Sequence, residues 1–391
     1  MKRLFFIAAA AVLWVSCLKS DDYKWIKKGI DTAEHQVLVM AGELQKPGIH
    51  ARGLKNGEYI EKPTTSWTSG FYPGTLWYVY EFTGNEDVKR EAVKHTGYVF
   101  PIREYKKTHD LGFMIYCSYG NAMRLSPSDT IPAVLIKTAE TLCERYDETI
   151  GCIRSWDFGK WNFPVIIDNM MNLELLFKVA ELTGDNKYRD ISIRHANTTL
   201  SNHFRADKTC WHVISYNNDG TIESKGTHQG YSDNSSWARG QGWAVYGYTL
   251  MFRETADSTY LSHAAAIADM IMGKVTTDDA IPYWDYDAPV SDNTPRDASA
   301  AAVSACAFLQ LSTYLEDGQK YFDYAEKILK SLSSEKYLSA KGANKGFILL
   351  HSTGNLPGNE EVDSPLIYAD YYYLEGLKIY MELKGLKYSD L

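Results

Sequence analysis

From residue 22 onward the chain alternates strictly between two helical patterns. In the first, apolar residues recur every three or four positions among charged ones, the mark of a helix half-exposed to water. It covers 22–43, 86–99, 128–146, 186–203, 258–274 and 319–332. The second is apolar nearly all round and rich in small or aromatic residues, which predicts burial on every face. It covers 67–82, 110–124, 166–182, 237–252, 297–314 and 364–381. Turn signals lead from the apolar segments to the charged ones. Phe82-Thr83-Gly84-Asn85, Leu182-Thr183-Gly184-Asp185 and Glu254-Thr255-Ala256-Asp257 echo one another, and Glu316-Asp317-Gly318 is a fainter copy. Repeated helical hairpins either stack or close on themselves. Six buried helices alternating with six half-exposed ones predict an all-α closed double ring, an (α/α)6 barrel. An open solenoid is the alternative, but it needs polar capping repeats at its ends, and neither end of this chain has that character.

Closure has a consequence for chemistry. If the inner helices run in one sense, their N-termini gather at one mouth, bringing Ser66-Trp67, His109-Asp110, Asp168, Trp237 with Arg239, and Arg296-Asp297 together. Free N–H groups and the helix dipole make such a mouth favourable to anions. The long connections 46–65, 151–164, 205–236 and 276–295 fall on that side and could wall a cleft. The stretch 162–176, NFPVIIDNMMNLELL, is central. Its apolar residues, from Val165, Ile166 and Ile167 to Leu176, predict a fully buried helix with Asp168 in the first turn and Asn172 on the same face. An unpaired buried carboxylate costs several kcal/mol. Asp168 therefore either has a structural partner or faces a pocket.

Composition narrows the possibilities. Apolar residues make up 45 % and charged residues 23 %, as in a globular protein with a substantial core. Aromatics reach 13 %, with 28 Tyr and 10 Trp. As a group they hint at carbohydrate, although any one of them could equally be an amphipathic core residue. Lys2 and Arg3 precede an apolar run over 4–15 that is too short to span a bilayer but suits a signal peptide. Val15-Ser16-Cys17 resembles a bacterial lipobox. The expected organisation is a signal peptide over 1–16, a tether over 17–24 lipidated at Cys17, and a single catalytic domain over 25–391. That describes an exported bacterial lipoprotein, periplasmic or outer-membrane associated, touching the membrane only through its anchor; ordinary secretion is the alternative. Net charge is −8, and removal of 1–16 leaves 39 cations against 49 acids, or −10. That argues against nucleic acid as a partner, which needs a basic patch, and requires any anion site to be local. Five cysteines (117, 143, 152, 210 and 306) remain after Cys17, neither paired in number nor spaced for zinc. The histidines form no HExxH.

Asp110 and Asp168 are the candidate pair of carboxylates. Glycoside cleavage ordinarily uses two such acids, one giving a proton, and close approach would push one of their pKa values up. Asp157, Asp233, Asp297 and Asp370 are further candidates, Asp297 reading better as an N-cap. The most distinctive stretch is 227–243, with Gln229, Arg239 and Trp243. Arg239 and Trp243, four apart, share a helix face and offer a planar fork for a carboxylate beside a stacking surface. A structural alternative pairs Arg239 with a core Asp. His212 could bond a ligand or satisfy backbone.

Together these segments identify a family. Trp67-Thr68-Ser69-Gly70-Phe71-Tyr72-Pro73-Gly74, His109-Asp110-Leu111-Gly112-Phe113, Ile167-Asp168-Asn169-Met170-Met171-Asn172-Leu173, the stretch 227–243 and the closing Tyr368-Ala369-Asp370-Tyr371-Tyr372-Tyr373-Leu374-Glu375 resemble the unsaturated glucuronyl hydrolases, family 88 of the glycoside hydrolases. The match runs in order from about residue 25 to 381. The resemblance implies an (α/α)6 barrel that removes the unsaturated uronic acid left by polysaccharide lyases at the non-reducing end, by hydrating its double bond. By motif position it implies Asp168 as acid/base, Asp110 as the second essential acid, and Trp67, His212, Gln229, Arg239 and Trp243 as substrate-binding residues. No metal or organic cofactor is implied. Some relatives read a sulfate through Ser and Lys in the loop before the last helix; here 351–363 has no Lys, and Lys341 and Lys345 just upstream are the candidates to replace it. Rival readings are an unsaturated rhamnogalacturonyl hydrolase acting on pectin fragments, a sugar epimerase on the same barrel, and a non-catalytic glycan-binding lipoprotein.

Overall fold

A computed structural model describes residues 20–391; Cys17 and the signal segment lie outside the described residues. Twelve helical segments alternate as the pattern predicts. The inner ones are α2 (Phe71–Thr83), α4 (Gly112–Gly120 continuing into Asn121–Leu125), α6 (Asn169–Thr183), α8 (Ala238–Thr255), α10 (Ala298–Ser312) and α12 (Ile367–Lys384). The outer ones are α1 (Lys24–Glu43), α3 (Glu86–Tyr98), α5 (Ile131–Cys143), α7 (Asn186–Asn202), α9 (Ser258–Lys274) and α11 (Gln319–Leu332). Each inner helix packs on the next, and α12 packs back on α2, so the ring is closed rather than solenoidal. Composition explains the two layers. In α10, small Ala and Ser residues let α8 and α12 approach from both sides, and nearly the whole helix is buried. In α11 the buried set is Tyr321, Ala325, Ile328, Leu329 and Leu332, one stripe of a surface helix.

The echoing turns share one construction. Thr83, Thr183 and Thr255 each donate a hydroxyl hydrogen bond back into the inner helix and accept from the following N-cap N–H. Gly84, Gly184 and Ala256 supply the left-handed turn, at φ of 65°, 71° and 57°. Asn85, Asp185 and Asp257 then cap the outer helix by accepting from Asp87, Lys187 and Thr259 N–H groups.

Three small sheets, which the all-helical reading omitted, stand in the connections. β1 (Ile49–Lys55) and β2 (Glu58–Pro63) pair as a hairpin through Asn56-Gly57, both at positive φ. β3 (Tyr146–Asp147) pairs with β4 (Cys152–Ile153). β5 (Phe163–Ile166), β6 (Val213–Tyr216) and β7 (Ile222–Gly226) form an antiparallel sheet. The helix expected from Val165 is thus corrected. Phe163-Pro164-Val165-Ile166 is a largely buried strand, because Pro164 keeps Phe163 out of the helical region and the β-branched Val165 and Ile166 favour a pleated surface, and Asp168 takes the N-cap position of α6. Among the described residues no helix is long and apolar enough to cross a membrane.

Candidate functional site

A cleft of about 390 Å³ opens where the inner helices begin. Trp67, Asp110, Asp168, Gln229 and Arg239 line it, so five of the seven sequence candidates meet there. His212 and Trp243 stand behind this wall rather than on it. The sheet delivers His212: Ile167 N–H donates to the His212 carbonyl at 3.0 Å, extending the β5–β6 pairing to the residue before Asp168.

Asp168 is 8 % exposed and its Oδ2 has no hydrogen-bond partner. Burial pushes its carboxyl up to about 7; the Asp110 charge pushes the same way and Arg239 opposes both. His212 faces it, with Nε2 3.7 Å from Asp168 Oδ2. His212 Nδ1 accepts from the His228 and Gln229 N–H groups at 3.2 and 3.3 Å, so its proton sits on Nε2 and points to the carboxyl. Burial holds the ring neutral, well below the ordinary histidine range. Asp110 accepts from the Thr108 hydroxyl at 2.7 Å, and His109 Nε2 lies 3.2 Å from its other oxygen. It precedes a π-helical turn, Gly112–Gly120, a distortion common at functional sites. The Phe113 N–H donates to Asn172 Oδ1 at 3.0 Å, and a Cβ on Gly112 would meet the Asn172 backbone at 2.7 Å. Asn172, four residues beyond Asp168, thus locks α4 to α6.

Two expectations need correction. Arg239 is not a free fork. It is 1 % exposed, paired with Asp297 Oδ2 at 2.7 Å, and donates to the Thr353 and Gly354 carbonyls at 2.6 Å each. Asp297 also caps α10 through the Ser299 and Ala300 N–H groups, so the structural alternative and the N-cap reading both hold. Trp243 is no stacking platform. It is wholly buried, with Phe113 and Tyr372 packed 5.2 and 5.5 Å from its ring. Its indole N–H makes no hydrogen bond, yet lies close enough to Asp168 to favour the ionised carboxyl. Trp67 is half-buried, in the turn before α2 rather than at its first residue, against Tyr368 at 4.9 Å. Gln229 donates to the Gly354 carbonyl at 2.9 Å, so it and Arg239 hold the same loop at the cleft wall.

Arg52, Lys107, Trp156, Phe158, Asn355 and Glu360 also line the cleft, and sequence reasoning missed them. Apart from Arg52, on β1, they sit on connections without periodicity; the one local signal was Asn56-Gly57, which marks the hairpin carrying Arg52. A larger cavity, about 500 Å³, opens at the opposite end of the ring. Its charges are all partnered: Arg124 with Glu81, Arg253 with Glu174, Lys378 with Glu382, and Glu375 with the Tyr78 and Tyr246 hydroxyls. The unpartnered acid favours the smaller cleft over this larger cavity, and chemistry needs that acid. Among the described residues no three His, Cys, Asp or Glu side chains gather as a metal site requires.

Comparison with known proteins agrees with this geometry. Residues 50–378 match Glycosyl Hydrolase Family 88. An unsaturated glucuronyl hydrolase of Formosa agariphila is 47 % identical, with 82 % of each chain covered. An unsaturated chondroitin disaccharide hydrolase of Streptococcus agalactiae serotype III is 32 % identical, covering 82 % of this chain and 83 % of that one. The crystal structure of an unsaturated glucuronyl hydrolase specific for heparin superposes with a TM-score of 0.91 at 47 % identity, covering 93 % of this chain and 99 % of the other.

Proposed function

Since the chain belongs to Glycosyl Hydrolase Family 88, we propose that it removes the 4,5-unsaturated uronic acid from the non-reducing end of lyase-made, glycosaminoglycan-type oligosaccharides by hydrating the vinyl ether double bond. One observation carries the reading. Asp168, a carboxyl with pKa about 7, shares a cleft with a second acid and is faced by a neutral N–H donor.

An enol ether with its oxygen on carbon 5 is most basic at carbon 4. Protonated Asp168 delivers its proton there, and positive charge develops at carbon 5 and the ring oxygen. The resulting Asp168 carboxylate stabilises that charge, then accepts a proton from the water that adds to carbon 5. The acid is thereby restored. The hemiketal opens and the glycosidic bond falls apart. His212 steadies the Asp168 anion between the two proton transfers through its Nε2–H, and Asp110, held by Thr108 and His109, orients the sugar hydroxyls. A pKa near 7 suits a group that must give and retake a proton at neutral pH. We also retain lipidation at Cys17 and an exported, periplasmic or outer-membrane location as proposals supported by the lipobox-like Val15-Ser16-Cys17. The test is incubation with lyase-made disaccharides, following loss of the double bond's ultraviolet absorbance. Absorbance that stays constant while intact disaccharide is recovered would reject the activity.

A further inference from the structure

The substrate class is anionic, yet the cleft's cations are nearly all committed elsewhere. Arg52 is held by Glu361, its nitrogens 2.7 and 2.9 Å from the two carboxylate oxygens. Arg239 is spent on Asp297 and two carbonyls. His109 and His228 are shifted by burial towards their neutral forms. Lys345, a sequence candidate for reading a charged substituent, is bound to Glu58 at 2.7 Å, and neither it nor Lys341 lines the cleft.

Lys107 remains. It lines the cleft, is exposed, and makes no ion pair among the described residues, whereas its neighbour Lys106 is paired with Glu144. The acid whose field it shares, Asp157, is already held by Arg145 at 2.9 Å and Arg154 at 3.2 Å. Lys107 stands three residues before Asp110, on the strap leading into α4. Near the mouth the same cleft is lined by Phe158, 56 % exposed, whose ring lies 4.9 Å from that of Trp156. Glu360 also lines the cleft and repels anions.

We infer that Lys107 is the specificity residue that reads an anionic substituent on the leaving sugar, with the Phe158–Trp156 surface as that sugar's platform. The inference rests on the activity proposed above, and its logic is depth. The reacting ring must place carbons 4 and 5 against Asp168, at the buried end. A flexible, exposed lysine at the rim beside an exposed aromatic meets the next sugar outward. Glu360, on the same cleft, opposes the anionic substituent by repulsion.

The test uses unsaturated disaccharides identical except for a single sulfate, placed at different ring positions of the leaving sugar, with an unsulfated control. Lys107→Gln should raise KM about 5- to 10-fold for at least one sulfated disaccharide, the range between an exposed ion pair and a charged hydrogen bond. The unsulfated control should stay within about twofold, and added salt should shrink the difference. Glu360→Gln should move the same sulfated substrate the other way. A Lys107→Gln effect equal on all substrates would mean that Lys107 meets the uronic carboxylate, and no effect would remove it from recognition; either result overturns the inference. Equilibrium binding of the same disaccharides to Asp168→Asn protein, with and without Lys107→Gln, separates this from the activity. Binding that depends on Lys107 without turnover by wild type rejects the reaction and keeps the recognition; no binding of any sulfated disaccharide rejects the recognition.

Discussion

Arg239→Met distinguishes an arginine kept for substrate from one built into the protein. Methionine preserves length and apolar volume but removes four hydrogen bonds: to Asp297 Oδ2 at 2.7 Å, the Thr353 and Gly354 carbonyls at 2.6 Å, and Ser299 Oγ at 3.4 Å. Asp297 is wholly buried, so its charge loses its counter-ion where water cannot replace it. Breaking a buried pair by removing one partner costs about 3–5 kcal/mol. Asp297 keeps the Ser299 N–H at 3.0 Å, the Ala300 N–H at 3.4 Å and the favourable end of the α10 dipole. The lower end of that range, about 3 kcal/mol, is therefore expected. At roughly 2 cal/mol/K of unfolding entropy per residue, a chain this long loses about 4 °C in Tm.

Calorimetric melts measure that loss, and a second readout belongs to the site. Arg239 lowers the Asp168 pKa, so its removal should carry the basic limb of kcat/KM above pH 7. Adding Asp297→Asn to Arg239→Met should recover part of the lost stability, because it removes the stranded charge and keeps the cap acceptor. An Arg239→Met protein that melts within about 1 °C of wild type, keeps its basic limb and changes only KM would refute this reasoning. It would return Arg239 to the role of a carboxylate fork.

Asp168→Asn should abolish turnover while leaving the circular dichroism of the fold intact; turnover above about 1 % of wild type would move the acid role to another group. The same variant should be more stable than wild type in alkali. The folded pKa, about 7, lies above the unfolded 3.8, so the Asp168 contribution is fully present below about pH 4 and is lost as pH rises to 7. Denaturant melts of the two proteins should then agree near pH 4 and differ by up to about 4 kcal/mol at pH 8. Asp110→Asn removes a charge that raises the Asp168 pKa, so its residual activity should show a basic limb displaced to lower pH; an upward displacement would show that the two acids do not interact as like charges. Ala256→Gly should raise stability by up to about 1 kcal/mol, or about 1 °C in Tm. It relieves a left-handed alanine where Gly84 and Gly184 stand in the sister turns, and a lower Tm would show that the alanine side chain contributes more than its backbone strain costs.

The ring was legible because its signal is long and repeated. Twelve segments, each with its own periodicity, and three copies of a Thr-turn-cap junction point to one closure. Short elements were harder. Phe163-Pro164-Val165-Ile166 continues the apolar run of α6 without a polar break, so periodicity alone joins strand to helix; the proline was the available signal. The motif residues could be named but not oriented. Arg239 and Trp243 do share a helix face, but that face is turned to the ring interior, where an Asp from α10 and aromatics from α4 and α12 had already claimed them. Sequence spacing gives the angle between two side chains on one helix and says nothing of what a neighbouring helix brings to meet them. Lys107 and Phe158 lie on connections, where neither period applies and only the folded chain brings them to one cleft.

The placement of unsatisfied groups argues for the site more strongly than any single residue does. Buried carboxylates in a folded protein nearly all find partners, and here the other acids do: Asp370 accepts from two backbone N–H groups, Glu375 from two phenols, and Asp297 from Arg239 and its helix N-terminus. Yet Asp168 Oδ2 is the one buried carboxylate oxygen among the described residues that goes without, and His212 Nε2 and Trp243 Nε1, also unpartnered, stand with it at the start of α6. Asp370 and Glu375 also have raised pKa values, about 8 and about 7, so a perturbed acid alone does not mark chemistry in this protein. What separates Asp168 is an unfilled hydrogen-bonding shell open to a cleft. An acid whose shell is complete has its proton fixed by structure; an acid whose shell is open can exchange one with substrate. The inner helices pack one on the next around the whole ring, and that closure holds the open shell in place until a ligand completes it.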